Sequence, residues 1–258
     1  MGIKVAVAVL GGIWALFFSA QAMAITTGQL FETPPGATVG GQPVSAMAII
    51  TLAPDVDRIA VQLFNNQVNP TSVIQNLSDF GFSLSTGQTA GSMVSSLGTL
   101  VEIRADGSYT PAGSMETGWE LQEGYDFVSL ENGIVVGALG TGLRIHVLGT
   151  EAGPANTLIG LPSGNTDSYG NANGSIAGNQ AHNPFIFYQA SFYLQVPGID
   201  DSTRIAGVLF SFGTQDTPAG IPEPRTLIFL GIGLAALAGA AKRWDFTRGK
   251  GEVENGGV

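Results

Sequence analysis

The 258-residue chain contains no cysteine, and this absence excludes several classes of protein. Without thiols there is no disulfide scaffold, no thiolate metal site and no cysteine nucleophile. Charged residues make up only 12% of the chain, about half of the roughly 25% usual in soluble globular domains. No lysine occurs between Lys4 and Lys242, and the net charge is -10. Nucleic acid binding rests on Lys and Arg neutralising phosphates, so this charge argues against it.

The first 24 residues have the three parts of a secretory signal peptide. Lys4 supplies the positive charge, residues 5–18 form an uncharged apolar core, and Ala22 and Ala24 form a small-x-small exit. A membrane anchor needs about 20 apolar residues, which is longer than this core. We therefore expect residues 1–24 to be a signal helix that is cleaved after Ala24.

A second apolar stretch lies near the C terminus, from Leu227 to Ala241. As a helix it would be about 22 Å long, which is short for a bilayer but adequate with interfacial neighbours. Lys242 and Arg243 follow directly. A basic flank faces the cytoplasm, so we expect a transmembrane helix at 227–241, a cytoplasmic tail at 244–258, and a body outside the inner membrane.

The tripeptide Pro222-Glu223-Pro224, the apolar helix and the basic pair Lys242-Arg243 follow one another in that order. Together, residues 221–243 resemble the PEP-CTERM sorting signal of exported bacterial proteins. The resemblance implies recognition by an exosortase-type membrane protease, removal of the helix, and release or attachment of the body at the cell surface. Proline prevents helix and strand pairing, which agrees with an extended, accessible tripeptide. The tail 244–258 continues beyond the usual end of such signals, and a plain C-terminal membrane anchor is the alternative.

The exported body, residues 25–220, carries 16 acidic and 4 basic residues, a net charge of -12. Short apolar or alternating runs between Gly-containing turns predict an all-β domain. The predicted strands are 44–52, 58–64, 77–84, 97–104, 119–121, 125–130, 143–148, 185–196 and 204–212. Turns are predicted at 105–108 and at Asn132-Gly133, and the second is a hairpin signal. We expect a β-sandwich, jelly-roll-like, in one domain.

One apolar face of each strand has to be covered, which predicts the core of this domain. The predicted core residues are Phe80, Phe82, Leu84, Trp119, Phe127, Ile145, Phe187, Phe192, Val208 and Phe210. Segments 80–84 and 171–179 also resemble stretches of uncharacterised PEP-CTERM proteins. That resemblance implies fold and location, and no activity.

The loop 161–183 is rich in Gly and Asn, and its side-chain oxygens suit Ca²⁺. The candidate ligands are Asp167, Asn171 and Asn173. Only one of them is a carboxylate, and the spacing and closing Glu of an EF-hand are missing. This favours a loop ordered by side-chain-to-backbone hydrogen bonds. We expect no resident cofactor, with Ca²⁺ as the alternative.

Acidic residues cluster around Trp119 and Tyr125, as in glycosidases where a carboxylate pair lies beside an aromatic sugar platform. The cluster consists of Glu116, Glu120, Glu123, Asp126 and Glu131. The odd spacing of Glu120 and Glu123 places them on opposite faces of a strand, which favours a solvated acidic edge.

The remaining polar candidates point to structural roles. Asp55, Asp57, Asp200 and Asp201 lie beside turn formers, which favours turn or strand-entry roles over cation binding. The two histidines, His146 and His182, accompany no G-x-S-x-G nucleophile motif, so the sequence selects no catalytic residue.

Three hypotheses remain, in decreasing order of preference. The first is a non-enzymatic, exported cell-surface or extracellular-matrix protein with a structural or interaction role. The second is a surface module that binds Ca²⁺ or envelope polysaccharide. The third is a secreted hydrolase, which requires two carboxylates, or a Ser with a His, in one pocket. Expected partners are the secretion machinery, the exosortase-type protease and the membrane, and nucleic acid is excluded.

Overall fold

The computed structural model describes residues 28–127, 133–164, 168–177 and 180–213. The chain divides into two compact units, Met1–Thr217 and Pro218–Val258, and every described residue belongs to the first. The predicted signal peptide with Ala22 and Ala24, and the predicted sorting signal, helix and tail, lie outside the described residues.

The described part of the chain is mostly β-structure, which confirms the all-β prediction. The strands are β1 (Gln29–Glu32), β2 (Thr38–Val39), β3 (Gln42–Pro43), β4 (Ala46–Ala53), β5 (Arg58–Asn65), β6 (Leu77–Leu84), β7 (Ser92–Ile103), β8 (Tyr109–Glu116), β9 (Glu120–Asp126), β10 (Gly133–Gly137), β11 (Thr141–His146), β12 (Leu158–Ile159), β13 (Phe185–Gln195) and β14 (Ile205–Phe212). One short α-helix, α1 (Ala172–Ser175), accompanies them. No helix in the described ranges is long and apolar enough to cross a membrane.

The strands form two antiparallel arrays. In spatial order, the first array is β1-β4-β5-β13-β7-β8 and the second is β10-β14-β6-β11-β9. The two-residue β12 joins them, because it pairs parallel with β13 and antiparallel with β6. The strands β2 and β3 form a separate hairpin.

Alternation explains why the first array has one covered face. In β4 and β5 every second residue is buried and the residues between are half-buried. The strand β6 differs, since all eight of its residues are buried although only one of its faces is apolar in sequence. Its second face is therefore covered by something other than the main core.

The main hydrophobic core contains residues from both arrays. Trp119, just before β9, packs against Phe192 of β13 with ring centroids 5.4 Å apart, and Phe80 of β6 packs against Phe210 of β14 at 5.2 Å. Nine of the ten predicted core residues are buried, and the prediction is wrong for Phe187. That ring is half-buried and stacks at 5.4 Å on Tyr109, beside a second apolar cluster.

Asn132 lies outside the described residues, but a hairpin that joins β9 to β10 through Asn132-Gly133 is wrong. Gly133 is the first residue of β10 and pairs with Ser211 of β14, while β9 pairs with β11 at the opposite edge of the second array. The turn 105–108 does join β7 to β8, with Gly107 at φ 84°. Two further differences concern β9, which runs unbroken through the gap predicted between 121 and 125, and β8, which was not predicted.

Candidate functional site

A buried ion pair lies on the second face of β6. Arg144 of β11 contacts Asp79 of β6, with Nη2 at 2.8 Å and Nε at 2.9 Å from the same carboxylate oxygen. Both side chains are at most 4% exposed. A charge buried in this way requires an opposite charge and hydrogen bonds, so each residue accounts for the presence of the other.

The guanidinium of Arg144 also reaches the edge strand β9. Its Nη1 donates to Gln122 Oε1 at 3.2 Å, and its Cζ lies 4.8 Å from the centroid of the Tyr125 ring. The register of β9 against β11 shifts between Gln122 and Tyr125, where Gly124 has φ 59°. Arg144 therefore contacts a side chain on each side of this bulge and links the edge strand β9 to β6 and β11.

Glycine makes room for the aromatic ring that covers this face. A Cβ on Gly81 of β6 would overlap the ring of Phe127, and one on Gly142 of β11 would lie 3.0 Å from it. Phe127 also contacts Tyr125 at 5.2 Å between ring centroids. Phe127 is therefore buried as predicted, but on the face of β6 opposite the main core.

The strand register aligns four polar residues on this face, in a row across neighbouring strands. The row runs from Ser211 through Asp79 and His146 to Glu120. A Ser-His-Asp triad needs His between Ser and the acid, whereas here Asp79 separates Ser211 from His146. The Nδ1 atom of His146 lies 2.9 Å from the carbonyl oxygen of Leu148, a contact that fits a structural role.

Two open grooves lie beside Trp119, between β7 and β9. The first has a volume of about 620 Å³ and includes Glu120 and Glu123, and the second, about 570 Å³, includes Glu116, Glu120 and Glu151. Glu123 Oε1 accepts a hydrogen bond from the backbone N–H of Gly91. The four acidic residues are exposed, so these grooves are lined by solvated carboxylates.

The aromatic residues of this region do not form a sugar platform. Trp119 is 3% exposed and its Nε1 donates to the carbonyl oxygen of Asn156 at 2.7 Å, while Tyr125 is half-buried against Arg144. Asp126 is exposed and Glu131 lies outside the described residues. The glycosidase-like arrangement therefore lacks its exposed ring in the described part of the chain.

The Asn/Gly-rich loop 161–183 packs on the protein through buried apolar side chains. Tyr169, Ala172 and Ile176 are buried in the second cluster, and the Tyr169 hydroxyl donates to the carbonyl oxygen of Gly160 at 2.8 Å. Burial raises the pKa of Tyr169 well above its usual value. Asn69 Oδ1 accepts from the backbone N–H of Gly170 at 2.7 Å, as expected for a loop ordered by side-chain-to-backbone bonds.

The three candidate Ca²⁺ ligands divide between described and undescribed residues. Asn171 precedes α1 with φ 54°, and both Asn171 and Asn173 are exposed. Asp167 lies outside the described residues. Within the described ranges, no group of three or more His, Asp or Glu side chains is placed to hold a metal.

The remaining polar candidates take part in turns. Asp57 has φ 52° and its Oδ1 accepts from the N–H of Gly198 at 2.9 Å, while Asp55 is exposed in the preceding 3₁₀ turn. Hydrogen bonds from Ser202 lower the pKa of Asp200. Asp201 uses its carbonyl oxygen to accept from Arg204 at 2.7 Å.

His182 is buried, and its Nδ1 lies 3.3 Å from the carbonyl oxygen of Pro154. Asp79 and Arg144, in contrast, were not among the residues predicted from the sequence. A usable signal was present, because each is a lone charge within an otherwise apolar or small-residue strand and their signs are opposite.

Comparison with known proteins identifies no relative: no family model, no curated protein and no solved structure matches the chain.

Proposed function

We propose that this chain is an exported bacterial surface or extracellular-matrix protein, sorted through Pro222-Glu223-Pro224, the apolar helix 227–241 and Lys242-Arg243. The observation that carries the proposal is the order of segments in the sequence. A signal-peptide pattern, an all-β body without cysteine or lysine, and a PEP-CTERM-like signal follow one another. This order of segments supports export of the body across the inner membrane. Outside that membrane, the proposed role of the body is structural or to bind other surface components.

The body itself is proposed to be a β-sandwich in which the two arrays face each other. Supporting this, the core contains Phe192 of the first array and Phe80 of the second, and Trp119 packs on Phe192. The chain also passes repeatedly between arrays, from β5 to β6, β6 to β7, β8 to β9 and β13 to β14. Such crossings are typical of Greek-key and jelly-roll sandwiches.

The outer surface suits an extracellular role. The outward face of the first array carries amides, hydroxyls and half-buried apolar residues, as in the rows Gln62–Ser191 and Ala60–Tyr193. With a net charge of -12, the body is repelled by anionic lipid and nucleic acid. Its solubility depends on uncharged polar groups.

The sorting proposal is tested in the native host by replacing Pro222, Glu223 and Pro224 together with alanine in the full chain. Surface delivery, measured by accessibility to added protease in intact cells, should be lost, and the chain should stay in the membrane fraction. The matched control replaces three residues of the tail 244–258 with alanine and should leave delivery unchanged. Equal delivery of both variants would overturn the proposal.

Polysaccharide binding is a second candidate function, favoured by the position of Tyr193. This ring is 36% exposed on the outward face, beside Ala60 and next to the row that holds Gln62 and Ser191. An aromatic ring flanked by hydroxyls and amides suits a sugar surface. Tyr193→Ala should weaken retention of the full chain on envelope polysaccharide from the native host, while Val68→Ala, which alters an exposed apolar residue in the loop after β5, should not.

A further inference from the structure

In the described part of the chain, the strand β10 lies at one edge of the second array. Among the described strands its one partner is β14, from Gly133↔Ser211 to Gly137↔Gly207. Ile134 and Val136 pack against the main core, so the strand is anchored. Val135, between them, is 50% exposed.

Strand register shows which backbone groups of β10 point away from the sheet. The N–H of Ala138 donates to the carbonyl oxygen of Ala206 at 3.2 Å, which makes these two residues a hydrogen-bonded pair. Such pairs alternate along an antiparallel ladder, so Val136 and Ile134 bond to β14. The backbone groups of Gly133 and Val135 therefore face outward.

The other three edges carry features that oppose further strand pairing. The strand β1 has only four residues and ends at Glu32, β8 contains Pro111, and β9 is bulged at Gly124 and bears Glu120 and Glu123. Short edges, proline, bulges and charges are the usual means by which proteins block edge pairing. The strand β10, with the sequence Gly-Ile-Val-Val-Gly, has no proline, no charged residue and no bulge in its pairing with β14.

We propose that β10 is an interface for a second copy of this chain, which adds its own β10 antiparallel about a twofold axis at Val135. Val135 then faces Val135 of the second copy, Gly133 faces Gly137, and Ile134 faces Val136. The edge carries no charge, and β10 of a second copy is likewise uncharged. A twofold contact is the commonest way in which identical subunits associate.

Glycine at both ends of the strand removes side chains that would hinder approach. A Cβ on Gly133 would also overlap the side chain of Leu209. A net charge of -10 on the whole chain makes two copies repel each other, and an edge without charge is where that repulsion costs least. This inference goes beyond the structural role proposed above, and it does not depend on export or sorting.

The absence of cysteine allows a direct test with the full chain in a mild detergent. In hydrogen-bonded antiparallel pairs the Cα atoms lie about 5.5 Å apart, within the roughly 4.4–6.8 Å that a disulfide requires. Val135→Cys should therefore form a covalent dimer on mild oxidation. The control Met115→Cys places one thiol of similar exposure, 42% against 50%, on the edge strand β8, and should not form one.

A second variant separates edge pairing from any other contact. Val135→Pro removes an outward N–H while leaving the bonds of Ile134 and Val136 to β14 in place, and proline is tolerated at such edge positions. Sedimentation velocity should show a dimer for the native chain and a dissociation constant raised at least about tenfold for Val135→Pro. Val135→Thr keeps the N–H and the branched shape and should remain dimeric.

The outcomes are distinct. A monomeric native chain at tens of micromolar, or a dimer that Val135→Pro leaves unchanged, would overturn the proposal. The folding of Val135→Thr is established first. If oxidation in the native host then crosslinks the Val135→Cys variant only to other envelope proteins, self-pairing is overturned in favour of a different partner. Loss of sorting in the alanine variants of Pro222-Glu223-Pro224 would leave this result unaffected, so the two proposals fail separately.

Discussion

Arg144 on β11 and Asp79 on β6 form an ion pair in which two guanidinium nitrogens, Nη2 and Nε, lie 2.8 and 2.9 Å from a single carboxylate oxygen. Neighbouring strands bring them together, since Arg144 pairs with Gly81 and His146 pairs with Asp79. This pair occupies the face of β6 that the hydrophobic core does not cover.

Replacing Arg144 with methionine should destabilise the fold strongly. Arg144→Met leaves the Asp79 carboxylate buried without its cation, and loss of one partner of a buried pair costs about 3–5 kcal/mol in the free energy of unfolding. Urea denaturation of the full chain, followed by circular dichroism, measures this change.

A double variant tests whether the loss of unfolding free energy in Arg144→Met comes from the unpaired Asp79 carboxylate. Asp79→Asn together with Arg144→Met removes both charges, and should therefore be more stable than Arg144→Met alone. A double variant whose loss equals the sum of the two single losses would show that the pair is not energetically coupled.

The contact between Gly81 and Phe127 predicts a position where alanine is not tolerated. Gly81→Ala introduces a Cβ that overlaps the Phe127 ring, and overpacking of this kind costs about 1–3 kcal/mol. Thermal unfolding measures the loss, and adding Phe127→Leu should recover part of it. Gly140→Ala is the control, because a Cβ there meets nothing within 4 Å.

Tyr169 predicts a loss of stability in alkali. Burial raises its pKa in the folded state above the unfolded value of 10.0, so above that pH the unfolded chain releases the phenolic proton while the folded chain retains it. The contribution of Tyr169 is therefore complete below pH 10 and decreases as pH rises further. Tyr169→Phe should show a smaller drop in unfolding free energy between pH 9 and pH 11 than the native chain, with the two pH values set about one unit either side of that pKa. An identical drop in both proteins would contradict this assignment.

Tryptophan fluorescence reports processing. The full chain has Trp14, Trp119 and Trp244, whereas a chain processed as proposed, from Ile25 to near Arg225, retains only Trp119, which is 3% exposed. The mature protein from the native host should emit at short wavelength and resist quenching by acrylamide. A strongly quenched, long-wavelength component in that material would show that Trp244 is still present or that Trp119 is accessible.

Apolar alternation predicted the parts of the fold in which burial alone decides the side-chain pattern. The strand β6 begins and ends at the predicted residues, and β4, β5, β13 and β14 differ from prediction by one or two residues at their ends. Edge strands were harder to predict. Seven of the eight residues of β8 are exposed and it contains Pro111, so it has no apolar period to detect.

The two wrong predictions have different causes. Phe187 and Phe192 are five residues apart, and this odd separation places them on opposite faces of β13. Phe187 therefore packs against the second apolar cluster and Phe192 against the main core. Asn132-Gly133 has the composition of a hairpin turn, but Gly133 belongs to β10 and pairs with Ser211 of β14. The first can be read from local alternation, whereas the second depends on a strand far away in the sequence.

The site was predictable only in part. The sequence indicated that the acidic residues near Trp119 form a solvated edge and that His146 is structural, and the positions of these side chains fit both roles. The Asp79–Arg144 pair depends on the alignment of β6 with β11, which no local pattern determines.

Export and sorting through the C-terminal signal are tested most directly by the intact mass of the protein recovered from its native host, with and without the sorting protease. We predict a polypeptide that starts at Ile25, ends between Pro222 and Arg225 when the protease is present, and retains residues 227–258 when it is absent. A mass that includes residues 227–258 in both hosts would contradict sorting and would indicate a permanent C-terminal membrane anchor.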